Sequence, residues 1–153
     1  MGVRTLSEYL LTYLWVGMEC VAAVLLFDAF SQRKKRQIAH WISVAWFSFL
    51  DATFLNLMSP NIANFGKIVI ALAVYYSLHR LLYVGKRIFS LYIAVIFYAT
   101  ICCIDNIWFA FWVLILGIQN GSSFSQTFVS GFLMHCLMLA SCYLQLLIRK
   151  HNQ

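Results

Sequence analysis

Five unbroken apolar stretches govern what this chain can fold into: Glu8 to Phe30, Ile38 to Met58, Phe65 to Val84, Ile88 to Gly117 and Thr127 to Ile148. Each is near or above the roughly 20 residues that carry an α-helix across the hydrocarbon core of a bilayer. The connectors, Ser31 to Gln37, Ser59 to Asn64, Gly85 to Arg87 and Ile118 to Gln126, are too short for separate domains. Of the 153 residues, 63% are hydrophobic and only 10% charged, more apolar side chain than a water-soluble core of this size can hide. Transmembrane barrels need alternating segments of about 10 residues, and these runs are continuous. The sequence therefore predicts an all-α polytopic bundle, one transmembrane domain over residues 1–153 with about five spans, in the cell membrane.

The first stretch reads as a retained helix rather than a cleaved address. It carries Glu8, Glu19 and Asp28, lacks a basic leader beyond Arg4, and runs into a basic cluster instead of a small-residue cleavage site.

Basic residues set the orientation. Arg33, Lys34, Lys35 and Arg36, then Arg80, Lys86 and Arg87, then Arg149 and Lys150 share one side of a five-span arrangement, leaving only Arg4 and Lys67 on the other. The positive-inside rule then places the N-terminus outside and the C-terminus in the cytoplasm. Arg33, Lys34, Lys35, Arg36, Lys86 and Arg87 are expected against anionic headgroups of the inner leaflet, so membrane lipids are the expected partner. Nucleic acid is not, because these charges abut spans and no reading module accompanies them.

The fourth stretch is longer than a span requires. Thirty helical residues reach about 45 Å, so the helix must tilt, protrude or break. Asp105-Asn106 is the expected point of break or emergence, which puts the Trp108 indole at the outer interface.

Chemistry is sought where polarity enters the spans, since an ionisable group in lipid costs several kcal/mol unless it faces protein or water. Glu19, Asp51, Asp105 and His135 qualify, all at mid-depth or above. Helical spacing extends them into stripes: Glu8, Thr12, Trp15 and Glu19; Tyr98, Cys102, Asp105 and Trp108; Gly131, His135, Met138 and Cys142. One reading is a cavity open to the outside in which Glu19, Asp51, Asp105, His135 and Trp108 bind a ligand. The other is that each polar group meets a partner on a neighbouring helix and fixes the packing. Lys67 is expected to snorkel, with pairing to Asp51 as the alternative.

No catalytic residues, cofactor or metal are expected. No Cys-x-x-Cys, His-Glu-x-x-His or Gly-rich phosphate loop occurs, and the five cysteines read as small packing residues.

An expected N-out helix with Leu14-Trp15 and Glu19, ending in Phe27-Asp28-Ala29-Phe30 before Arg33 to Arg36, resembles the start of the membrane sensor region of Agr-type, GHKL-superfamily receptor histidine kinases. Lys67 opening a run into Leu81-Leu82-Tyr83-Val84-Gly85-Lys86, then Phe97-Tyr98 and Ile104-Asp105, is similar to their third and fourth helices. The resemblance implies a bacterial, homodimeric module that detects an extracellular peptide and signals to a cytoplasmic kinase. The dimerisation helix with its phosphoacceptor His and the ATP-binding domain have no counterpart here, and His151 belongs to a polar end rather than to such a helix. The expectation is a sensor-like module without its own kinase, either truncated or a fragment whose signalling half lies elsewhere. A small transporter subunit and a structural partner of another membrane protein are the alternatives.

Overall fold

The computed structural model describes residues 6–34, 37–57, 63–116 and 124–151. They form five helices: α1 (Leu6–Phe30), α2 (Gln37–Leu57), α3 (Ala63–Leu82), α4 (Arg87–Leu116) and α5 (Phe124–His151). The chain is thus an all-α bundle. Among the described residues α1, α2, α4 and α5 are each long and apolar enough to cross a membrane, which makes it a multi-pass membrane protein. The 20 residues of α3 give about 30 Å, the thickness of a hydrocarbon core.

The central helix is α1, which packs against all four others. Its second half buries Cys20, Ala22, Ala23, Val24, Leu26, Phe27 and Ala29 on every side, so it has no amphipathic face. Several of these residues are small, which lets neighbouring backbones approach where apolar burial gives helices in lipid little drive to associate. The outer surface is apolar instead: Trp46, Phe54, Ile88, Tyr92, Leu144 and Ile148 all point away from the bundle. Polar side chains turn inward, with His40, Asp51, His79, Ser90 and His135 buried. A water-soluble protein distributes these groups the other way round.

Three boundaries differ from the sequence expectation. The fourth helix does not break at Asp105-Asn106 but runs unbroken to Leu116. Asn106 Nδ2 donates to the Cys102 carbonyl at 2.7 Å, so its amide bonds back into the helix instead of capping one. From Asp105 onward α4 does emerge from the packing: Ile107 is 71% and Leu114 81% exposed. At the other end of the chain, His151 is not in a loose polar end but closes α5 beside Arg149 and Lys150. Three basic residues in a last turn complement the negative end of the helix dipole. Finally, α3 stops at Leu82, because Tyr83 leaves the helix to pair with Arg33 as an isolated antiparallel bridge.

Candidate functional site

Glu19 lies midway along α1 and is the centre of one polar cluster. The Tyr75 hydroxyl, from α3, donates to Glu19 Oε2 at 2.9 Å. His135 of α5 brings Nε2 to 3.5 Å from Glu19 Oε1. Asp51 of α2 and Asp105 of α4 both stand within electrostatic reach of the Glu19 carboxyl, and Asp105 within reach of His135 as well. Direct contacts at Glu19 thus come from α3 and α5, and the acids of α2 and α4 act on it through their charge.

The surroundings fix His135. Its Nδ1 is 2.7 Å from the Gly131 carbonyl one turn earlier, and the Trp15 indole stacks on the ring with centroids 4.8 Å apart. Gly131 makes the stacking fit, since a Cβ there would come within 3.0 Å of Trp15 Cζ2. Asp51 is more deeply enclosed. It is 1% exposed, and its Oδ1 has no hydrogen-bond partner among the described residues. Asp105, by contrast, lies on the open side where α4 leaves the bundle. One turn on, Trp108 Nε1 donates to Ser130 Oγ at 2.8 Å and ties the emerging helix to α5.

Of the four ionisable residues singled out from the sequence, Glu19 and His135 meet directly, Asp51 and Asp105 stand within electrostatic reach of Glu19, and Trp108 lies one turn beyond Asp105 on α4. Their stripes are only partly interior. His135, Met138 and Cys142 are buried and Trp15 is half-buried, but Glu8 is exposed. Lys67 makes no ion pair with Asp51; among the described residues the ion pairs are Arg33 with Asp28 and His135 with Glu19. No group of three or more His, Cys, Asp or Glu side chains among them is arranged to hold a metal ion. Cys20 and Cys142 are fully buried, as packing residues are.

A second polar cluster occupies the basic end. The Arg33 guanidinium forms a two-pronged pair with the Asp28 carboxylate, and that hydrogen bonding holds the guanidinium more firmly protonated than usual. The Tyr83 hydroxyl donates to Asp28 Oδ1 at 2.9 Å. His79 of α3 bridges the first connector and the first turn of α4, with Nε2 at 2.9 Å from Ser31 Oγ and Nδ1 at 3.0 Å from Ser90 Oγ. Two backbone bonds zip the first and third connectors, Lys34 N–H to the Leu82 carbonyl and Val84 N–H to the Gln32 carbonyl. Lys34 Nζ donates to the Arg80 carbonyl, so Arg33 and Lys34 are engaged within the protein. Lys86 and Arg87 are exposed, while Lys35 and Arg36 lie outside the described residues.

Sequence reasoning missed what joins the clusters. Tyr75, His79 and Tyr83 recur every four residues, the spacing of one helix face, and each meets α1 or the connector that follows it: at Glu19, at Ser31, and at Val24 and Asp28. The spacing is visible in the sequence, but tyrosine and histidine near span ends carry no mark of a shared partner. No family model, curated protein or solved structure matches the chain.

Proposed function

We propose that this chain is the signal-detecting module of a membrane receptor, oriented with its N-terminus outside, whose Glu19-centred site takes a positively charged group of an extracellular peptide. One observation carries the reading: the Glu19 carboxyl meets His135 of α5 and stands within electrostatic reach of Asp51 of α2 and Asp105 of α4, with no lysine or arginine bonded to it. Intramembrane acids are costly and mark ligand or ion sites more often than packing does. The nine-to-two division of Lys and Arg supports the orientation, with this site at mid-depth. The Tyr75, His79 and Tyr83 face supports signalling, because it links Glu19 to the basic end, where a cytoplasmic partner would read the change. The likeness to peptide-responsive sensor regions agrees with this, and no catalytic role is assigned to the chain itself.

The same polar face favours a second reading, a small transporter subunit that moves protons along it. Protein purified into lipid nanodiscs separates the two. Titration with short synthetic cationic peptides, followed by the fluorescence of Trp15 and Trp108, is expected to saturate, and Asp105→Asn is expected to weaken binding about tenfold. Absence of saturable binding, together with collapse of an imposed proton gradient in proteoliposomes, would replace the sensor by the transporter.

A further inference from the structure

We infer that Glu19 and His135 form an intramembrane proton-binding site, with one exchangeable proton lying between Glu19 Oε1 and His135 Nε2. The other side of the imidazole fixes the tautomer. A carbonyl oxygen only accepts hydrogen bonds, so the nitrogen 2.7 Å from the Gly131 carbonyl must carry a hydrogen. Nδ1 is therefore the protonated nitrogen of the neutral ring, and Nε2 is left facing the carboxyl at 3.5 Å.

Three states with at most one proton in the gap follow. A charged imidazolium beside a carboxylate holds one proton in the gap, and so does a neutral imidazole beside a carboxylic acid. In the third state a bare nitrogen lone pair opposes a carboxylate. That state concentrates negative charge where the bilayer tolerates it least, and the neighbours make it worse. Tyr75 from α3 bonds to the pair, and the other titratable groups within electrostatic reach of Glu19 are Cys20 from α1, Asp51 from α2, and Tyr98 and Asp105 from α4. None is a cation. Tyr75 donates to Glu19 Oε2, leaving Oε1 to share the proton with Nε2.

Two observations make this a site rather than a static ion pair. Nε2 is buried and its approach to Glu19 falls short of a hydrogen bond, so the nitrogen is aimed at the carboxyl without a settled partner. Glu19 keeps 24% of its side chain uncovered by the other helices, so its proton is not sealed inside the bundle. The ligand class is thus the proton itself, and the inference holds whether or not a peptide enters the same site.

The test leaves the pair untouched. Glu8 and Glu19 are the two glutamates of the chain, so Glu8→Gln makes Glu19 the one glutamate present. This variant, carrying 13C-glutamate and 15N-histidine in lipid bilayers at neutral pH, should show a through-space correlation between the glutamate carboxyl and one histidine. That histidine should have Nδ1 protonated. The shared proton should appear either as an Nε2–H resonance or as an isotope-shifted carboxylic acid C=O band in the infrared, and it should exchange with deuterium. No carboxyl–histidine correlation, an unprotonated Nδ1, or absence of both proton signatures would overturn the inference. A proton that does not exchange would equally overturn it, leaving a fixed structural pair.

Discussion

The Trp15 indole lies nearly flat on the His135 imidazole, the planes 17° apart, and Gly131 is the residue over which it passes. An added methyl at 131 must push the indole aside, and a ring system has no flexible end to yield. Overpacking of this kind costs about 1–3 kcal/mol, against up to about 1 kcal/mol of helix propensity gained by Gly→Ala. Gly131→Ala is therefore expected to lower the melting temperature of the detergent-solubilised protein. Adding Trp15→Phe, with its smaller ring, should recover part of the loss. A more stable Gly131→Ala protein would show that the indole has room.

Tyr75→Phe removes one hydroxyl and keeps the ring, whose edge packs on Phe97 at 4.8 Å. What is lost is a buried hydrogen bond to an acid, a contribution of about 1.5–3 kcal/mol. The variant should melt at lower temperature than wild type, and Glu19→Gln combined with it should cost less than the two changes added separately, because both break one bond. Strict additivity would show that Tyr75 and Glu19 do not interact.

His79→Ala breaks two side-chain bonds, to Ser31 and Ser90, on either side of the zipped connectors. Each contributes about 1 kcal/mol, so the Lys34 and Val84 amides should exchange with deuterium at least about tenfold faster in the variant. Amides in the middle of α4 serve as the control and should not change. Unaltered exchange at Lys34 and Val84 would mean that the backbone bonds hold the connectors unaided.

Orientation is tested by thiol labelling on a background free of native cysteines. Ile62→Cys should react with an impermeant reagent in intact cells, and Lys86→Cys only after permeabilisation. The opposite pattern would invert the bundle.

The apolar runs were legible because length alone separates a span from a core strand, and every described helix falls on one of them. The acids were legible too, since each interrupts an apolar run at a depth where charge is costly. The meeting of Glu19 with Tyr75 and His135 was not, because spacing places residues on one helix face but says nothing of which helix that face meets. Asp28 shows the same limit. It stands five residues before Arg33, across a helix end where no face is shared, so Arg33 read as a lipid contact while the fold gives it a carboxylate. Asn106 misled for a local reason: its side chain competes for backbone groups, and in α4 the group it finds belongs to the preceding turn.

The central position of α1 has a consequence for assembly. It precedes the other described helices in the chain, yet Glu19 meets Tyr75 only once α3 is in place and His135 only once α5 arrives. During synthesis the first helix must wait in lipid with its acid unaccompanied, most readily in the uncharged form. Completion of the last helix is then the step that gives Glu19 a basic neighbour, so the polar centre matures in the order in which the ribosome delivers its parts.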